Sequence, residues 1–556
     1  MAAAWSWMAL PARVAGESRS LAARGVRESR SLAYVARSGL LSPQPPQRLL
    51  ALAAAYTRNG QMGAAIATAA ILHGDRPALV DELGTLTFKQ LDARADALAC
   101  ALLDRGVGAD DCIGILCRNH RGFLDIAFAA GKLGARALYL NTDFAGPQLR
   151  DVCAREGVSL LVCDEEYAEL LGGLAPRHGH LIAWSDTADA AGTLETLIAA
   201  AAGRKPPRAQ APGAVVLLTS GTTGTPKGAA RHAGASLHPV GALLSKVPFR
   251  VREATYVAAP MFHALGFSQA LLAVVFGSTV ITHRRFAPER VLGAIAAHRP
   301  TGLVLVPVML ARIVTVLERE PGHWDTSSLR IVFLSGAQLD AELVRRAHRT
   351  IGEKLYNFYG STEVAWVTLA TPRDLREAPG CAGRPPFGTT LRLYDPDGRR
   401  VRGPDNVGRI FVGNGFEFDG YTGGGHKQVI DGLMSTGDVG HFDAQGRLFI
   451  DGRDDDMIVS GGENVFPAEV EELLLTHPAI DEAAVIGVPD LEFGQRLAAF
   501  VVQRAGEAVS GEDIKAFVGA NLARYKVPRD VTFVAELPRN PTGKILKRRL
   551  QELAAA

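Results

Sequence analysis

Ten consecutive residues constrain this chain more than any others: Thr219-Ser220-Gly221-Thr222-Thr223-Gly224-Thr225-Pro226-Lys227-Gly228. They follow Val215-Val216-Leu217-Leu218, a short apolar run that reads as a buried strand. A strand, then a loop of glycines and hydroxyls, then a lysine is the order a phosphate cradle needs. Glycines let the backbone turn tightly and bring N–H groups close to an anion. Ser and Thr add donors without bulk, and Lys227 adds positive charge. A Walker A loop is a poor match, since it requires G-x-x-x-x-G-K-[ST]. Here Gly228 follows the lysine, so no hydroxyl stands where Mg²⁺ would be held.

The surrounding pattern predicts an α/β fold. Strands are expected at 85–88, 113–116, 137–140, 160–162, 302–307 and 330–334. Helices are expected after the 85–88 strand to Leu103, at 122–133 and at 147–156, the last with its proline in the first turn. Strands alternating with helices imply parallel sheets covered on both faces. At 556 residues the chain is long enough for roughly two to four domains. A net charge of +2 gives no footprint for nucleic acid. Six cysteines without metal spacing read as reduced thiols.

Residues 1–64 form an extension of different composition. Arg13, Arg19, Arg24, Arg27, Arg30 and Arg37 are opposed only by Glu17 and Glu28 among the first fifty residues. A transit peptide, a basic amphipathic helix on a membrane, and an extension with no address all fit. Pro43, Pro45 and Pro46 predict a helix stop, and the globular part is expected from Ala65.

The 219–228 loop resembles the signature [ST]-S-G-[ST]-T-G-x-P-K-G of the adenylate-forming superfamily. That superfamily holds acyl-CoA synthetases, luciferases and the adenylation domains of peptide synthetases. Further motifs follow in the family's order over roughly Ala65 to Leu550. Ala259-Pro260-Met261-Phe262-His263-Ala264-Leu265-Gly266-Phe267 resembles P-x-F-H-x-x-G-F and leads into an apolar helix. Ser335-Gly336-Ala337-Gln338-Leu339 resembles the turn lying against adenine, with an uncommon residue in Gln338. Asn357-Phe358-Tyr359-Gly360-Ser361-Thr362-Glu363 matches Y-G-x-T-E. Ser435-Thr436-Gly437-Asp438 matches T-G-D, with Leu433 where a tryptophan is usual and a short 423–425 glycine segment before it. Gly452-Arg453-Asp454-Asp455-Asp456 resembles an interdomain hinge, Ser460-Gly461-Gly462-Glu463-Asn464 a CoA-contacting loop, and Pro538 to Ile545 the P-x-x-x-x-G-K-[IV] lysine motif.

The resemblance implies a large α/β domain with parallel sheets (65–452), a hinge (453–456) about Asp455, and a small mobile α+β domain (457–556). ATP would be held by Thr219, Ser220, Gly221, Thr222, Thr223, Gly224, Lys227, Gly336, Ala337, Asn357, Phe358, Tyr359, Gly360, Asp438 and Arg453. Lys544, Glu363, Thr362 and His263 would be catalytic, with Glu363 also ligating Mg²⁺. Ser460, Gly461 and Gly462 would follow the pantetheine arm of CoA. Phe262, Leu265, Phe267 and Trp366 would wall the acid pocket, although core packing accounts for Trp366 equally well. The implied reaction joins a carboxylic acid to CoA through acyl-AMP. A medium- to long-chain fatty acid is the expected substrate. The alternatives are an aryl or short-chain acid, a carrier protein as acceptor, a luciferase-like oxygenase and a silent binding protein. The expected place is the cytoplasm, with membrane contact or a mitochondrial address depending on the extension; a homodimer stays open.

Overall fold

In the computed structural model, residues 25–555 are described apart from 188–191, 220–226, 230–235, 338, 340, 396, 417–419, 421–425, 454–457, 466, 539–544 and 546. The alternating pattern builds two sheets, each clothed by helices. The first runs in the order 180–184, 160–164, 112–116, 136–139, 214–219, 227–229, parallel except for the final hairpin pair. The second has eight strands: 365–370, 355–361, 331–334, 302–305, 254–257, 279–281, 77–81, 84–87. It is parallel inside and antiparallel at both edges.

The largest buried cluster lies between the two sheets. It joins Ile113 and Tyr139 of the first sheet to Leu79 and Val280 of the second through Phe88, Leu98, Phe123 and Phe128 on two helices. Helix Arg121–Leu133 is buried along its whole length, as a helix between two sheets must be. The Phe88–Asp104 helix starts at a capping box, in which Thr87 and Gln90 each satisfy the other's backbone N–H. A third, antiparallel sheet (400–401, 390–394, 408–413, 433–442, 429–430, with 448–453 on 433–442) was not foreseen. In it Leu433 packs with Tyr394 and Phe411, so an apolar neighbour exists for the residue that departs from the family pattern.

The small unit is a sheet of 463–465, 458–460, 494–503 and 480–490, with 530–533 pairing to 494–503. Helices Pro467–Leu475 and Gly511–Asn521 pack on one face, and Leu550 of the last helix on the other. It docks on the large unit at several points. Ala523 belongs to the same buried cluster as Cys112, Leu138 and Val216. The Arg524 N–H donates to the Asp143 carbonyl at 3.3 Å. Glu469 accepts from the fully buried Lys526 and, at 3.2 Å, from Gln148 Nε2 of the large unit.

The proline cluster falls at the break between helix 25–37 and helix Pro46–Arg58, which Pro46 opens where its missing N–H costs nothing. One expectation about the extension needs correction: packing does not begin at Ala65. Helix 25–37 buries Ser31 and Val35 completely, and Glu28 accepts from Ser236 Oγ at 2.6 Å and Leu237 N–H at 3.1 Å. No helix among the described residues is long and apolar enough to cross a membrane.

Candidate active site

Strand Ala214–Thr219 feeds the glycine loop, and the backbone returns as Lys227–Ala229 with Thr219 opposite Lys227. The cradle therefore closes a hairpin, whereas a Walker A loop opens a helix. Ser220, Gly221, Thr222, Thr223 and Gly224 lie outside the described residues, as do Gln338, Asp455 and Lys544.

At the C-terminal ends of the parallel strands, where open α/β sheets bind ligands, a cavity of about 1150 Å³ is lined from both units. Gly336, Ala337, Asn357, Phe358, Tyr359, Gly360, Thr362, Glu363 and Asp438 all face it. The Tyr359 hydroxyl donates to Asp438 Oδ2 at 2.5 Å. Backbone pairing sets Arg453 opposite Asp438, so the two expected ribose contacts share one rung of the third sheet. Gly360 has no substitute: a Cβ there would lie 2.0 Å from the Ala365 carbonyl, at the bulge that turns the chain toward Glu363. Glu363 is buried and accepts from Ser361 Oγ at 2.9 Å.

Another wall of the cavity is carried by the 259–267 turn. Asn119 pins it, accepting from Met261 N–H at 2.7 Å and donating to the Ala259 carbonyl at 2.9 Å. Gly266 lets the helix that follows sit on the turn, since a Cβ there would be 2.3 Å from the Pro260 carbonyl. Phe262, Leu265, Phe267 and Trp366 all line the cavity. Trp366 also does structural work, with Nε1 donating to Thr389 Oγ1 at 2.8 Å and its ring stacked on Phe416. Tyr139 meets Phe267 edge-on at 4.7 Å, lines the same cavity, and has a buried hydroxyl with no partner among the described residues. Burial pushes that phenol well above the usual tyrosine range.

From the small unit, Ser460, Gly461 and Gly462 reach the cavity. The two glycines have φ of 60° and 89°, a left-handed run that side chains resist. Glu463, which follows, lies 2.5 Å from Nε2 of His263. Asn119 and Tyr139 escaped sequence reading; Glu463 is read there as part of the 460–464 motif but given no role of its own.

Other reactive groups are accounted for. Cys117, His120 and Asp164 lie together, but His120 Nδ1 accepts the Gly122 N–H and Nε2 faces Asp164 at 2.8 Å, so neither nitrogen is left for a metal. All six thiols are free and buried. Burial pushes Cys112 and Cys381 up to about 11, which makes them poor nucleophiles.

The model of the AMP-binding enzyme family matches residues 66–422, and that of the AMP-binding enzyme C-terminal domain matches 469–544. The chain belongs to the AMP-binding enzyme family. As such it is an AMP-forming acid–thiol ligase with a large N-terminal α/β domain and a small C-terminal one. It is 36% identical over 474 residues to a feruloyl-CoA synthase of Amycolatopsis sp, covering 83% of this chain and 92% of that protein. It is 32% identical over 480 residues to an indoleacetate–CoA ligase of Aromatoleum aromaticum, covering 84% and 93%. The o-succinylbenzoate CoA synthetase of Bacillus subtilis, a double mutant bound with its product analogue, superposes with a TM-score of 0.77 at 28% identity, covering 89% of this chain and 98% of that one. The same bacterial enzyme in complex with its acyl-adenylate intermediate scores 0.62 at the same identity and coverage.

Proposed function

We propose that this AMP-binding enzyme activates an aryl-bearing carboxylic acid with ATP and passes it to CoA. The relatives above are named for acids that carry rings, which favours the aryl alternative over a fatty acid. The observation that carries the reading is the Tyr139 hydroxyl, buried in a wall of rings without a partner among the described residues. An alkyl chain would leave that hydroxyl unsatisfied, at a cost of about 1–3 kcal/mol. A flat ring bearing a polar substituent would satisfy it and stack on Phe262 and Phe267.

Two steps follow. A carboxylate oxygen attacks the α-phosphorus of ATP and pyrophosphate leaves; then a thiol sulfur attacks the acyl carbon and AMP leaves. In the first step two anions meet, so the barrier is largely electrostatic. The 219–228 loop would hold the β- and γ-phosphates, the 335–337 turn and Tyr359 the adenine, Asp438 and Arg453 the ribose. Thr362 would bond a phosphate oxygen and Lys544 would neutralise the α-phosphate. The buried Glu363 carboxylate facing the cavity is a hard oxygen donor of the kind that fits Mg²⁺. Glu363 would hold the ion, which would supply charge neutralisation at the phosphates. Rotation of 457–556 about the 453–456 hinge would exchange Lys544 for the Ser460–Gly462 loop between the steps.

The test is an acid ladder with ATP, Mg²⁺ and CoA: cinnamates and benzoates with and without ring hydroxyls, indoleacetate, and saturated acids from acetate to palmitate. AMP and the thioester are read by mass spectrometry. Ring acids should lead, and Tyr139→Phe should cost hydroxylated ring acids roughly tenfold in kcat/KM, one lost neutral hydrogen bond. A palmitate or dodecanoate maximum, unchanged by Tyr139→Phe, would restore the fatty-acid reading.

A further inference from the structure

One polar pair joins the two walls of the cleft and is used by neither step as written. His263 caps helix Ala264–Val275 of the large domain, and Glu463 follows the glycine pair of the small-domain loop. A carboxylate only accepts, so Nε2 of His263 carries the proton at that 2.5 Å contact. The lone pair of the neutral ring is then on Nδ1, which has no partner among the described residues. The ring lines the cavity beside Gly461 and Gly462. An imidazole aligned by a carboxylate, with its other nitrogen unengaged, is the arrangement of a general base.

We infer, on the acid–CoA ligase reading above, that His263 is the base that takes the proton from the CoA thiol and that Glu463 is its positioning residue. The S–H proton passes to Nδ1, the sulfur attacks the acyl carbon of the adenylate, the bond from that carbon to the phosphate oxygen breaks, and AMP leaves as the phosphate anion. The proton on His263 then goes to solvent. A free thiol titrates near 8.5, so little thiolate exists at neutral pH and a base has something to contribute.

The charges around the ring suit the task. Burial would lower the basicity of His263, but the Glu463 carboxylate and Asp143 outweigh it and the net direction is up. Arg118 and Arg524 stand near Asp143, and Tyr525 packs against the Glu463 side. A base raised toward the thiol's own value is better matched to it. Because Glu463 sits on the small domain, the dyad exists only while the 460–463 loop is docked. Lys544 and Glu463 would then serve opposite half-reactions from the same moving domain.

The experiment is single-turnover thioester formation by the full chain from synthetic cinnamoyl-AMP, with dodecanoyl-AMP as the aliphatic counterpart, and CoA, from pH 6 to 9.5. The wild type should show a rising limb with a midpoint above 6.5 and a plateau. His263→Ala should lose roughly 10²-fold at pH 7.5 and rise only with free thiolate, and added imidazole should restore part of the rate. Glu463→Gln, a milder change at the loop, should move the limb to lower pH and lower the plateau. If both variants keep the wild-type limb, merely scaled, the pair is a packing contact and the inference is overturned while the ligase reading stands. If the wild type converts neither adenylate, the ligase reading falls and takes the inference with it.

Discussion

Tyr359 donates its hydroxyl to Asp438 at 2.5 Å, and the two residues come from different sheets, on strands 355–361 and 433–442. The contact ties the proposed adenine-stacking ring to the proposed ribose acceptor. A hydrogen bond to a charged group contributes about 1.5–3 kcal/mol. Tyr359→Phe should therefore raise the KM for ATP at least tenfold with a smaller effect on the KM for the acid. Initial rates at varied ATP check this, and an unchanged KM for ATP would separate the pair from nucleotide binding.

Lys544 is proposed to act in one half-reaction only. Lys544→Ala should lower adenylate formation by roughly 10²–10³-fold, as loss of a charge aimed at a developing anion does. Thioester formation from supplied cinnamoyl-AMP should stay within a few-fold of wild type. Pyrophosphate release and thioester yield, measured separately, give the two numbers; equal losses would remove the assignment.

His73 offers a pH test of stability. It closes helix Gly60–His73 and packs against Gly277, where a Cβ would lie 2.2 Å from its ring. Burial, with Arg252 and Arg76 beside it, holds the ring down to about 4. The unfolded chain, titrating near 6.5, binds the proton first. His73 should therefore lower stability as pH drops from 6.5 toward 4, alongside His238, His283 and His348, which burial also shifts down. Urea midpoints for wild type and His73→Gln across that window should show a shallower slope in the variant. Parallel curves would assign the acid sensitivity elsewhere.

The N-terminal helix can be tested by truncation. A chain beginning at residue 44 lacks the buried Val35 and Ser31 and the Glu28 bonds. Burying one valine contributes about 1.5–3 kcal/mol, so its Tm should be several degrees below that of a chain beginning at residue 25. Equal melting temperatures would mark 25–43 as a dispensable leader.

Much of this was legible locally. The apolar run 215–218, the proline-started helix at 146–156 and the motif order up to Gly437-Asp438 are short-range patterns, set by side-chain period, capping and glycine spacing. Such patterns pointed to the α/β alternation and to several of the segments that line the cavity. The arginine-rich extension misled because composition reports charge and not what covers a helix; Glu28 and Ser31 meet Leu237 and Gly241, some two hundred positions away.

Chain order determined the family, the two-domain plan and the candidate chemistry of this AMP-binding enzyme. Tertiary structure alone decided that the Tyr139 hydroxyl has no partner among the described residues, that Asn119 holds the 259–261 turn, and that His263 meets Glu463 across 200 positions of sequence. Those contacts depend on how whole sheets and domains pack, and a single bond between distant residues leaves no periodic trace in sequence from which to read it.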